Sequence, residues 1–180
     1  MRVPINRDAP IVVERKIEIF SPPEVIWQWI RQVDLWVDWH PEISSAWLID
    51  DEAIGARFKW RKKLLGVRCE IVEIAVARRW AWRGYSWGLK AQQEFRLDGN
   101  FRSTSLSSTM ILEGPIVRLL KPFVHKAATH WTEIWLGVLK TKIESQHERG
   151  RSNKGGGGRT RTVSEQIRRT FDSERSRLGM

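Results

Sequence analysis

GPIVRLLKPFVHKAATHWTEIWLGVLK, residues 114–140, is the longest periodic segment of the chain. Gly114-Pro115 breaks what precedes it. Ile116, Leu119, Leu120, Phe123, Val124, Ala127, Trp131, Ile134, Trp135, Val138 and Leu139 then recur at i, i+3, i+4 and i+7. That period predicts a helix with one wide apolar face and a kink or restart at Pro122, whose ring removes a backbone donor. So wide a face cannot stand in water alone. It needs a sheet to lie on.

The residues upstream supply one. IVVERKIEIF, residues 11–20, starts apolar and then alternates, with Val13, Arg15, Ile17 and Ile19 on one face of a strand. Ser21-Pro22-Pro23-Glu24 follows, reading as an N-cap serine, an N1 proline and an N3 glutamate. The helix it opens buries Val25, Ile26, Trp29, Ile30 and Val33, and a second helical turn spans Asp34 to His40 before Pro41. Strand-like segments then follow at 44–50, 56–63, 67–76, 79–86, 88–97 and 101–113, with Asp98-Gly99-Asn100 as a hairpin turn. Short turns between consecutive strands mean an antiparallel meander. The expected fold is α+β: a strongly curved sheet of about six to seven strands wrapped around a long C-terminal helix, with one or two short helices after the first strand.

Composition sets further bounds. A length of 180 residues is one domain with something left over. The single cysteine, Cys69, excludes an internal disulfide framework and a cysteine-based zinc cluster. No apolar run approaches the roughly 18 residues of a membrane span. MRVPINRDAP lacks the apolar core of a secretory signal, so the chain reads as cytoplasmic. Half of the net charge of +10 falls in residues 145–180, which hold nine Lys/Arg, four Asp/Glu and the run Gly155–Gly158. Few apolar residues there offset the ordering entropy. The expected division is a domain over 1–145 and a flexible basic Gly/Arg/Ser-rich tail over 146–180, with one marginal helix near 163–177. Contact of the tail with nucleic acid or an anionic membrane is the lesser alternative to a solvated appendage.

Taken together, several segments resemble the START-like superfamily (SRPBCC), specifically its polyketide cyclase/dehydrase branch. They are Ser21-Pro22-Pro23-Glu24-Val25-Ile26-Trp27, Trp36-Val37-Asp38-Trp39-His40-Pro41, Gly55-Ala56-Arg57-Phe58, Arg78-Arg79-Trp80-Ala81-Trp82 and Glu113-Gly114-Pro115. The likeness covers about residues 10–145. It implies a helix-grip fold with a cavity between the sheet and the C-terminal helix, suited to a lipid, a polyketide or another apolar molecule. In aromatase/cyclases of this kind the strand corresponding to 67–74 presents an arginine and a serine to the cavity. Here that face offers Val67, Cys69, Ile71 and Glu73, which weakens a cyclase assignment.

Eleven tryptophans against one tyrosine is the compositional anomaly. Trp60, Trp80, Trp82, Trp87, Trp131 and Trp135 either line a pocket or interdigitate as core. The residues expected to meet a ligand are Phe58, Trp60, Trp80, Trp82, Gln93, Phe95, Thr104, Leu106, Ser108, Met110, Phe123, Ala127 and Trp131. Gln93, Thr104 and Ser108 would orient a polar group or bond one another across the sheet. Arg57 and Arg83 would meet a carboxylate or form salt bridges. Tyr85, Glu94 and His125 are the weak candidates for proton transfer at a pocket mouth, and His40 is placed at the entrance. The histidines have no metal-ligand spacing, Cys69 has no nearby base, and no cofactor motif is present. The reading is a binder of a hydrophobic or amphipathic small molecule. A cyclase/dehydratase using the same cavity is one alternative, and a regulatory protein acting through its surface and tail is another.

Overall fold

The computed structural model describes residues 8–152. By its contacts the chain falls into Met1–Glu144 and Ser145–Met180, and the description concerns the first of these. The proposed helix near 163–177 lies outside the described residues.

Seven strands form one antiparallel sheet: β1 (Ile11–Ile19), β2 (Ser45–Leu48), β3 (Arg57–Lys62), β4 (Leu65–Ala75), β5 (Arg79–Ser86), β6 (Leu89–Gly99) and β7 (Thr104–Glu113), in the spatial order β1-β7-β6-β5-β4-β3-β2. The helices are α1 (Pro23–Arg31), α2 (Trp36–Trp39), α3 (Pro115–Leu119) and α4 (Lys121–Ser152), with a 3₁₀ turn at Val33–Leu35. The expected class, strand count and long final helix are all present.

Three local expectations shift. Pro22, not Ser21, is the N-cap of α1, and no side chain caps the helix. The two adjacent prolines preset its first turn instead. β6 runs on through Asp98 and Gly99, which pair with Ser105 and Thr104. The reversal follows at 100–103, where Asn100 Oδ1 accepts the Arg102 and Ser103 amides. A bulge between Ile71 and Glu73 turns Glu73 onto the face of Ala81, its cross-strand partner, and there it pairs with Arg79 at 3.0 Å.

Alternation along the strands sorts the sheet into two faces. The inner face carries Val13, Phe58, Trp60, Ile71, Trp80, Trp82, Phe95, Leu106 and Met110, all buried. Arg15 on this face reaches Glu133 of α4 at 3.0 Å, fixing the helix on that side. From Ala128 onward α4 buries Trp131, Trp135, Leu136, Leu139 and Ile143. Before that point the helix has little to lie on: Leu119, Phe123, His125 and Ala127 are exposed.

At the centre the aromatic rings close on one another. Trp36 meets Trp135 at 5.0 Å and Trp80 at 5.9 Å, both edge to face, and donates its indole N–H to the Ile30 carbonyl at 3.0 Å. Trp39 meets Trp135 at 4.8 Å, and Phe95 meets Trp135 at 5.2 Å. Such pairs contribute about 0.5–1.5 kcal/mol each beyond the area they bury.

Candidate functional site

Three chain reversals define one end of the grip. The β3–β4 turn carries Lys63 and Leu64, the β5–β6 turn carries Trp87 and Gly88, and Gly114 joins β7 to α3. Trp87 (φ 41°) and Gly88 (φ 75°) both adopt the left-handed conformation of a two-residue hairpin turn. Gly114, at φ 123°, approaches the β5–β6 turn so closely that a Cβ there would fall on the Gly88 carbonyl oxygen. No other residue fits that junction.

Between these reversals lies a groove of about 850 Å³. Trp60, Val67, Ser86 and Leu89 contribute to it from the inner face, Trp87 and Pro115 from the rim, and Lys59, Arg61, Arg68 and Lys90 surround it with positive charge. Of the binding residues expected from the sequence, Trp60 is the one that lines this groove. Behind it, Trp60 stacks on Trp131 with centroids 5.0 Å apart and planes 14° from parallel.

The other expected residues divide. Phe58, Trp80, Trp82, Phe95, Leu106 and Met110 are packed core. Gln93 donates to Ser108 Oγ at 3.1 Å across the sheet, whereas Thr104 donates to the Ser21 carbonyl at 2.7 Å rather than to either of them. Phe123 and Ala127 are exposed, while Val124 on the same stretch of α4 packs partly against the core and full burial begins at Ala128. Arg57 is bound to Asp50 and Arg83 to Glu70, each at 2.9 Å, which takes up both guanidinium groups. The Arg57 guanidinium holds the Asp50 carboxyl down at about 2.

The three proton-transfer candidates do not converge. Tyr85 sits on the outer face opposite Arg68 and lines the groove from outside. Glu94 is one residue from the inward Gln93 and therefore faces outward, where it is buried beneath Arg79 and Arg96 and accepts from both. His125 is exposed on α4. Among the described residues, no group of three His, Cys, Asp or Glu is arranged to hold a metal ion.

Sequence reasoning placed His40 at an entrance, but it is buried, with its ring 4.7 Å from Trp131 and 5.2 Å from Trp135. Its Nδ1 accepts the Glu42 amide at 3.3 Å, and Nε2 has no partner. Burial lowers its pKa to about 4, with Lys62 adding to the effect and Glu42 opposing it. The indole N–H groups of Trp39, Trp80, Trp82, Trp131 and Trp135 are likewise buried without a hydrogen bond, as is Gln93 Oε1. Native interiors leave few such groups unpaired, so this concentration of donors beside α4 marks a region short of acceptors. Nothing in residue order reveals it, because each tryptophan taken alone reads as an apolar ring. Burial also raises the Cys69 thiol, against a smaller opposing effect of Trp60, and leaves it a core group rather than a nucleophile.

Residues 10–128 match the family described as polyketide cyclase/dehydrase and lipid transport. The chain belongs to that family. Solved structures agree on the fold of this family member. A START superfamily protein from Mycobacterium smegmatis aligns with a TM-score of 0.64 at 18% identity, covering 74% of this chain and 97% of its own. A hypothetical protein from Helicobacter pylori aligns at 0.68 and 17%, covering 79% and 95%. The Zhui aromatase/cyclase from Streptomyces sp. R1128 aligns at 0.53 and 14%, covering 58% and 68%. No curated protein matches the sequence.

Proposed function

We propose that this family member binds an amphipathic, acidic small molecule of lipid- or polyketide-like character in the groove at the mouth of the grip. The observation that carries the reading is the groove itself: its volume lies within the range of small-molecule sites, its floor is aromatic, and its rim is cationic. Trp60 presents a stiff apolar surface to the ligand's body. Arg61 and Arg68 form no ion pair among the described residues and stand ready for an anionic head. The polyketide and lipid-transport character of the family and the aromatase/cyclase neighbour support a ligand of this class, while the separation of Tyr85, Glu94 and His125 supports binding rather than proton transfer among them.

Dodecanoate and dodecanol, compared by isothermal titration calorimetry, test the proposal. Dodecanoate binds more tightly, Arg61→Glu with Arg68→Glu removes that preference, and Trp60→Ala weakens both probes by about tenfold or more. Failure of either probe to bind overturns the reading, as does a Trp60→Ala variant that remains folded and binds like the parent.

A further inference from the structure

We propose that the mouth end of the grip docks on an anionic lipid bilayer, with the two hairpin tips and the start of the helical segment entering the interface. This inference does not require the groove to hold a ligand. Leu64 is 98% exposed at the β3–β4 tip and Trp87 is 83% exposed at the β5–β6 tip. Leu119 at the end of α3 is 81% exposed, and Phe123 in the first turn of α4 is 75% exposed. A Cβ on Gly88 would lie 3.7 Å from Ile116 Cδ1, which places the Trp87–Gly88 tip against α3. Single exposed apolar residues are ordinary, but Leu64 and Trp87 line one groove and Leu119 lines an adjoining one that shares Lys90, Gly114 and Pro115 with it, so these residues form a patch.

Trp87 supplies an independent argument. Its φ of 41° belongs to Gly or Asn, and a bulky aromatic residue rarely occupies it. The indole gains no burial in return. An indole ring is at home at a membrane–water boundary, where an apolar body and an N–H are both accommodated. The strain is explained if the tip works in contact with such a boundary.

Charge selects the partner. Lys63 flanks Leu64, while Arg118 and Lys121 flank Leu119, and none of these cations forms an ion pair among the described residues. The carboxylates at this end, Asp8 and Glu113, each already hold a partner. A second copy of the chain would bring the same cations face to face across a two-fold axis. An anionic headgroup layer instead neutralises them while the apolar tips pass between the headgroups.

Co-sedimentation of the full-length protein with phosphatidylcholine vesicles, prepared with and without phosphatidylglycerol, tests this. The parent protein sediments with the anionic vesicles and not with the neutral ones. Trp87→Asn lowers partitioning about tenfold, and each of Arg118→Ser and Lys121→Ser lowers it about fivefold at low salt. Asparagine relaxes the turn, so loss of binding by that variant is not a folding defect. Leu119→Ser on the helical side gives a second, independent loss. Unchanged sedimentation of Trp87→Asn and Leu119→Ser would assign vesicle binding to the basic segment beyond residue 145 and overturn the proposal. Equal binding to neutral vesicles, no binding at all, or self-association that Trp87→Asn abolishes would also overturn it.

Discussion

The centre of the grip and its mouth are built from the same side chains with opposite fates. At the centre, Trp36, Trp39 and Phe95 each pack a ring against Trp135 at 4.8–5.2 Å, and all four are buried. At the mouth, Trp87 stands in solvent, and Trp60 both lines the groove there and stacks on Trp131. A tryptophan's composition is therefore uninformative without its place on the sheet. The turn after β5 leaves Trp87 exposed, while Trp80 and Trp82 within that strand are buried.

The largest test of that contrast is Trp80→Ala. Removing a fully buried indole costs about 4 kcal/mol, read from urea denaturation, because the cavity cannot collapse among rigid rings. A loss below about 1 kcal/mol would mean the centre is looser than its ring contacts imply.

The next effect is pH-dependent. His40 is held neutral in the folded protein, at about 4 against an unfolded value of 6.5. Between those values the unfolded chain binds a proton that the folded one does not. The contribution of neutral His40 is therefore complete above pH 6.5 and is lost as pH falls toward 4, amounting to about 3 kcal/mol. Urea midpoints at pH 7.5 and 4.5 show this loss in the parent, and His40→Phe flattens it. An identical pH slope in that variant would contradict the assignment.

Glu94→Gln follows at about 2 kcal/mol, since a buried carboxylate between two partly exposed guanidinium groups loses its charge and keeps its shape. Thermal unfolding at low salt and at high salt reads the loss directly. Trp87→Asn gives the smallest effect and the opposite sign: a gain of about 1 kcal/mol from relaxing a left-handed residue. A destabilised Trp87→Asn would show that the exposed indole supports the fold after all.

Much of the architecture was legible because periodicity reports which face is buried. Arg15 and its alternating neighbours marked β1, the Pro22-Pro23 pair marked α1, and Gly114-Pro115 marked the junction before the final helix. The candidate site was less legible for three physical reasons. The period of α4 continues through Phe123, but the sheet beneath it does not. Gln93 and Glu94 were both placed at the pocket, although adjacent residues of a strand face opposite ways. Leu64 and Arg68 carried no signal of their own, since a groove between turn tips is made by the geometry of reversals rather than by any pattern within a strand.

The junction of Gly88 and Gly114 makes the two sides of the groove unequal. Backbone rests against backbone there, leaving no room for a side chain at Gly114 on that side of the groove. On the opposite side is the β3–β4 hairpin, whose tip residue Leu64 has almost its whole surface free. The groove is thus bounded by a tight backbone junction on one side and by the exposed Lys62–Leu65 reversal on the other. Lengthening that hairpin would reshape the groove without disturbing the aromatic centre, whereas any side chain at Gly114 would force the two reversals apart.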